Sequence, residues 1–163
     1  MNITLIGMAG AGKSAVGRKI AEILDYQFID IDRIIAVKDS PQKLIDQFGE
    51  KHWLAKEART VLKLKNISNS IISPGGSIIY SPRAMKFLKN ISKIIFLDAN
   101  PFIIKQRINI NSRGIIGLKI KSFEEVYDER RPLYKKYADI IIESENKNIA
   151  EISREILNLI KYK

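Results

Sequence analysis

Cysteine is absent from the 163 residues, so neither a disulfide framework nor a thiolate metal site is available. The single histidine, His52, stands beside Trp53 with no second ligand nearby in sequence, and reads as structural. Apolar runs of membrane length and a leader peptide are missing as well, which predicts a cytoplasmic protein with no membrane partner. No repeat, low-complexity tract or Pro/Gly/Ser linker marks a second domain. A chain of this length reads as one domain able to bury a proper core. Acidic residues are in deficit: 18 Asp and Glu face 28 Lys and Arg, for a net charge of +10. Such a field favours anionic partners. The lysines are scattered rather than gathered into a basic tract, so the charge reads as solvated faces and nucleic acid is not the expected partner.

What the chain does have is concentrated at its start. Gly7-Met8-Ala9-Gly10-Ala11-Gly12-Lys13-Ser14 fits the phosphate-cradling pattern G-x-x-x-x-G-K-[ST] at every fixed position. Asn2 to Ile6 before it reads as a short buried strand, and Ser14 to Leu24 after it as an amphipathic helix. Glycine lets backbone N–H groups wrap a phosphate closely, and the helix N-terminus adds its partial positive charge. Lys13 is expected to face solvent until nucleotide arrives and then to reach the β- and γ-phosphates, with the Ser14 hydroxyl joining a Mg²⁺ shell. Gly10, Ala11, Gly12, Lys13, Ser14 and Ala15 are therefore the expected nucleotide contacts, with ATP and Mg²⁺ as the implied cofactors.

Strands and helices alternate along the rest of the chain, the signature of an α/β protein with a parallel sheet. Tyr26 to Ile29 reads as a second strand and Ile31 to Lys38 as a helix. Ser40-Pro41 caps a short helix to Phe48, Gly49 breaks it, and Glu50 to Lys65 forms a longer one. Ser70 to Ser73 is a third strand, and Pro82 to Leu88 a helix. Lys93 to Leu97 follows as a strand and Pro101 to Arg107 as a helix. Asn109 to Lys121 is polar and glycine-containing, where either a mobile lid or an ordinary loop fits. Ser122-Phe123-Glu124-Glu125 opens a helix with a capping box, ending near Arg130-Arg131-Pro132. Asp139 to Ile142 is a last strand. A closing helix from Asn148 to Tyr162 puts Ile149, Ile152, Ile156, Leu159 and Ile160 on one face.

Asp30 and Asp32 lie just past the carboxyl end of the second strand, where ligands bind in open α/β sheets. One carboxylate can face Mg²⁺ while the other orients or deprotonates an acceptor hydroxyl. Helix capping by Asp30 is the plainer account of that residue. Gly75 and Gly76 follow the third strand at the same edge and allow close backbone approach to a ligand, or make a plain turn. Arg113 and Arg130 are candidates for neutralising phosphoryl oxygens or clamping a carboxylate.

Taken together, these residues resemble the shikimate kinase family over nearly the whole chain. The segments that carry the resemblance are the phosphate loop, Phe28-Ile29-Asp30-Ile31-Asp32, Gly49-Glu50 before Trp53, Pro74-Gly75-Gly76, Arg113-Gly114-Ile115-Ile116, and Arg130-Arg131-Pro132-Leu133-Tyr134 with Ala138-Asp139. The resemblance implies a P-loop kinase fold: a five-stranded parallel sheet flanked by helices, a lid at about 109–121 and a helical substrate-binding insert at about 31–65. It implies ATP- and Mg²⁺-dependent phosphorylation of the 3-hydroxyl of shikimate by a monomer. By that likeness Asp30 and Ser14 face the metal, and Asp32, Gly75 and Gly76 hold the acceptor. Arg130 grips its carboxylate, and Glu57 braces a substrate-binding arginine. Lys13, Asp32 and Arg113 serve catalysis. Arg107 accompanies Arg113 on the nucleotide side, and Asn146 falls in the loop that meets adenine. Two positions depart from the family pattern: Leu54 stands where a second carboxylate-binding arginine is expected, and Pro74 replaces the first of three glycines. Both lie on the acceptor side, so a kinase for another small polyol, sugar or sugar acid stays open. A nucleotide-binding protein acting on nucleic acid or a protein partner is the reading from a different class.

Overall fold

The computed structural model describes residues 1–38, 40–110 and 114–161. Five parallel strands form one sheet in the order β2-β3-β1-β4-β5, with β1 Ile3–Ile6, β2 Gln27–Asp30, β3 Ser70–Ser73, β4 Lys93–Asp98 and β5 Ile140–Glu143. Every residue of β1 and β3 is buried, as expected where helices cover both faces of a parallel sheet. At the edges, β2 and β5 are partly open to solvent. Register pairs Ile3 and Phe28 with Ile71, and Asp30 with Ser73, so the ends of β2 and β3 finish level with one another.

The helices follow their sequence signals closely. Helix α1 (Lys13–Leu24) starts directly from Gly12, whose φ of 95° is left-handed. Helix α2 (Ile31–Ile35) is capped by Asp30, α3 (Pro41–Phe48) by Ser40 with a first-turn proline, and α4 (Glu50–Leu62) begins after Gly49. A 3₁₀ turn, Ile78–Tyr80, leads into α5 (Pro82–Ile91), and α6 is Pro101–Arg107. Helix α7 (Phe123–Tyr137) opens with the expected Ser122/Glu125 capping box, and α8 is Ile149–Lys161.

Four differences from the sequence reading have physical causes. Helix α2 stops at Ile35 rather than Lys38, since Val37 has no core to enter and is 78% exposed. The 3₁₀ turn has no local pattern that signals it. Helix α7 does not end at Pro132 but runs through it to Tyr137. Proline removes the N–H that would meet the carbonyl of Asp128, yet the stripe Phe123, Val126, Tyr127, Arg130 and Tyr134 is buried and holds the helix on the sheet. On α8, Ile152 and Ile156 are buried as expected, but Ser153 and Leu157 complete the inward face, while Ile149 and Leu159 are 46% and 38% exposed. Ile149 opens the helix, and Leu159 falls on the margin of the stripe. Among the described residues, no helix is long and apolar enough to cross a membrane.

Candidate active site

The carboxyl ends of β1, β2 and β3 deliver three segments to one side of the sheet. They are the loop after Ile6, the pair Asp30 and Asp32, and Ser73-Pro74-Gly75-Gly76. Between them lies a cleft of about 480 Å³, lined among others by Gly10, Lys13, Ser14, Asp30, Asp32 and Pro74. The sequence candidates for metal and phosphate thus share one space. Gly12, with its left-handed φ, has nothing within 4 Å of the place a Cβ would take, so its backbone faces open space.

Lys13 departs from expectation. It is 9% exposed, and its Nζ donates to the carbonyls of Gly7 and Met8 at 2.9 Å each. The lysine therefore folds over its own loop instead of extending into solvent, because the loop carbonyls are the nearest acceptors for a buried ammonium. Burial lowers its pKa to about 8, against the pull of the Asp32, Glu57 and Asp30 carboxylates.

Ser14 Oγ and Asp30 Oδ2 are 3.3 Å apart, so a hydroxyl and a carboxylate already face each other. Asp30 also accepts the Arg33 N–H through Oδ1 at 3.3 Å, so the helix cap and the site oxygen are the same side chain. Arg18 approaches Asp30 at 4.0 Å and covers the Phe28 ring. Among the described residues no three His, Cys, Asp or Glu side chains cluster as a metal cage. A Ser and an Asp beside a phosphate loop suit Mg²⁺, which takes few protein ligands and completes its octahedron with water and phosphate oxygens.

Asp32 links this cleft to a smaller cavity of about 30 Å³, lined also by Trp53, Gly75, Gly76, Ile115, Ile116 and Arg130. The glycines here leave room for the polar groups packed around them. A Cβ on Gly75 would stand 2.6 Å from Glu57 Oε1 and 2.7 Å from Asp32 Oδ1. One on Gly76 would meet Tyr134 Oη at 3.0 Å and Arg130 Nη1 at 3.2 Å. Tyr134 fixes this corner by donating to the Gly76 carbonyl at 2.6 Å and stacking on Phe96. Its phenol is pushed up to about 12 by burial.

Glu57 is fully buried one turn beyond Leu54 on α4. Ser77 Oγ donates to its Oε2 at 2.7 Å, while Oε1 has no hydrogen-bond partner among the described residues. Burial first, and the Asp32 charge second, raise its pKa to about 8. Leu54 itself packs half-buried against the core and lines none of this space.

Not every candidate converges here. Arg107 is exposed in the last turn of α6; its neighbour Ile108 abuts Gly10, and the Arg107 side chain does not line the cleft. Asn146 is exposed in a left-handed turn beyond β5, also outside the cleft. Arg113 lies outside the described residues. The stretch after it, expected as part of a lid, is laid against α3 and α4. Gly114 N–H donates to Gln42 Oε1 at 3.1 Å, Gly117 N–H donates to Glu50 Oε1 at 2.8 Å, and Ile115 and Ile116 are buried. Ser77, Tyr80 and Tyr134 carry no role that the sequence reveals, although Tyr134 stands inside the R-x-P-L-Y segment. Arg33 and Arg18 in the cleft wall escape sequence reasoning because a lone arginine carries no local signal.

This geometry agrees with what the chain resembles. The family model described as shikimate kinase matches residues 9–161. A shikimate kinase of Staphylococcus aureus is 36% identical over 163 residues, covering 98% of this chain and 93% of that one. A bifunctional shikimate kinase/3-dehydroquinate synthase of Thermotoga maritima is 30% identical over 142 residues, 86% of this chain but only 29% of that longer protein. Among solved structures, shikimate kinase from Acinetobacter baumannii in complex with shikimate superposes with a TM-score of 0.88 at 27% identity, covering 99% of this chain and 93% of that one. With a five-stranded parallel sheet, a phosphate loop and a matching family model across nearly its whole length, the chain belongs to the shikimate kinase family.

Proposed function

We propose that this protein transfers the γ-phosphoryl group of ATP to the 3-hydroxyl of shikimate with the help of Mg²⁺. The observation that carries this reading is the position of Asp32, which lines both the phosphate-loop cleft and the cavity holding Arg130. An acceptor gripped by its carboxylate at Arg130 would thereby present a hydroxyl to Asp32 and to the phosphate loop. When bound, ATP would supply the phosphoryl group and Mg²⁺ would offset the charge on its oxygens.

The chain's residues divide the remaining work. Gly10, Ala11, Gly12 and Ala15 supply backbone at the loop and the first turn of α1, and Lys13 exchanges its two loop carbonyls for phosphate oxygens. Ser14 and Asp30 hold the metal. Asp32 orients the acceptor hydroxyl and takes its proton. Gly75 and Gly76 let the acceptor approach, and Arg130 pairs with its carboxylate. Arg113, Arg107 and Asn146 complete the nucleotide side, with 109–121 as lid and 31–65 as the acceptor-binding insert.

Leu54 favours one alternative, a neutral polyol or sugar as acceptor, because position 54 supplies no cation. Coupled ADP release measured over shikimate, shikimate-like acids and neutral polyols decides between them. Efficient turnover of shikimate, and little of the polyols, is expected. Preference for a neutral polyol would overturn the shikimate assignment and leave the kinase assignment standing.

A further inference from the structure

A guanidinium offers five N–H groups in a rigid fork, and which edge is free decides how it meets a carboxylate. In Arg130 the edge formed by Nε and Nη2 is already committed. Nε donates to Tyr80 Oη at 3.3 Å, and Nη2 donates to the Ile116 carbonyl at 2.7 Å. The Tyr80 ring lies against the guanidinium, with 5.2 Å between its centroid and Arg130 Cζ. Nη1 lies beside Gly76, where the Tyr134 hydroxyl also approaches the guanidinium, and Arg130 lines the cavity.

Tyr80 is itself tethered. Its hydroxyl donates to Glu129 Oε1, and Glu129 Oε2 pairs with Lys121 Nζ. Ile116 and Lys121 belong to one stretch of chain, 114–121, so its contacts with Arg130 close into a ring. One side runs directly through the Ile116 carbonyl, the other through Lys121, Glu129 and Tyr80.

The oxygens around the guanidinium, from Tyr80, Ile116 and Tyr134, are neutral, and Arg130 is 1% exposed. Glu57, buried on the other side of Gly75, is close enough for the Arg130 charge to favour its ionised form. Without a fixed acceptor on Nε the guanidinium can turn, and turning would move Nη1 away from the cavity beside Gly76.

We propose that Tyr80 is a positioning residue for the acceptor clamp. Its hydroxyl and ring orient Arg130 so that the Nη1 edge meets the acceptor carboxylate, and Glu129 with Lys121 tethers that orientation to the segment following Arg113. This inference rests on the reading that Arg130 binds the carboxylate of shikimate. Tyr80→Phe keeps the ring and removes only the hydroxyl.

Steady-state kinetics with shikimate and ATP varied separately, together with thermal midpoints, test it. Tyr80→Phe should raise the KM for shikimate roughly three- to tenfold, the worth of one hydrogen bond, with the KM for ATP and the midpoint unchanged. Combined with Arg130→Lys it should add little, since both remove the same contact. If Arg130→Lys raises the KM for shikimate and Tyr80→Phe does not, the inference falls and the reading of Arg130 survives. If Arg130→Lys leaves that KM unchanged, the reading itself falls. A Tyr80→Phe variant that loses thermal stability and weakens both substrates alike overturns the positioning role. Should Arg130→Lys fail to fold, Tyr80→Phe is compared on shikimate and on an analogue with an alcohol in place of the carboxylate. A loss confined to the acid supports the proposal, and an equal loss overturns it.

Discussion

Lys13 and the two aspartates show how single side chains divide between structure and chemistry. The ammonium of Lys13 satisfies the Gly7 and Met8 carbonyls, so it stabilises the loop it is expected to leave. Lys13→Met keeps the bulk but leaves the buried Gly7 and Met8 carbonyls without their donor, so the fold should survive with a somewhat lowered thermal midpoint. Turnover should fall on the order of 10²–10³-fold with loss of the charge on the phosphates. Near-normal kcat and ATP affinity would refute the role given to the loop lysine. Asp30 and Asp32 separate by their neighbours: Asp30 faces Ser14 and caps α2, whereas Asp32 lines the Arg130 cavity. Asp30→Asn should raise the Mg²⁺ concentration needed for half-maximal rate. Asp32→Asn should depress kcat while leaving ATP binding nearly intact, because an amide takes no proton. Identical Mg²⁺ titrations for the two variants would contradict this division.

Among the elements, α4 carries the departure from the family pattern. Leu54 and Glu57 stand one turn apart on it, a spacing at which side chains touch. The leucine packs on the core, and among the described residues the buried carboxyl accepts a hydrogen bond from Ser77. Leu54→Arg should set a guanidinium beside Glu57 and offer a second cation to the acceptor. A charge-assisted contact of this kind is worth about 1.5–3 kcal/mol, so the KM for shikimate should drop by roughly one to two decades. An unchanged KM with shikimate, measured on a folded variant, would show that position 54 does not reach the acceptor. Helix α7 makes the complementary point. Pro132 ends the helix by local rule, but the buried face of Phe123, Val126, Tyr127, Arg130 and Tyr134 carries it one more turn, and that turn brings Tyr134 against Gly76.

For the molecule as a whole, the buried carboxyl of Glu57 couples stability to pH. Its pKa is raised from the ordinary 4.5 to about 8, chiefly by burial. Between those values the native state holds a proton that the unfolded chain has released, so this group's contribution is full below about pH 4.5 and is lost as pH rises toward 8. Glu57→Gln keeps the shape and cannot ionise. Denaturant unfolding across pH 4.5 to 8 should therefore decline less steeply in the variant than in wild type, and equal slopes would show that Glu57 is ionised in the fold. None of this was legible in the chain. By itself the sequence determined the parallel α/β architecture, the phosphate loop with its helix, the capping box of α7 and the placement of Asp30, Asp32, Gly75 and Gly76 at strand ends. Each of these is written in a spacing of a few residues, in apolar periodicity or in a required backbone conformation. Only the tertiary structure decided that Lys13 folds onto its own loop, that α7 passes through Pro132, and that Tyr80, Ile116 and Glu129 hold Arg130. The Arg130 contacts join groups 14 to 50 residues apart, and even Lys13, bonded to its own loop, takes its place through burial, so desolvation and packing outweigh any local preference.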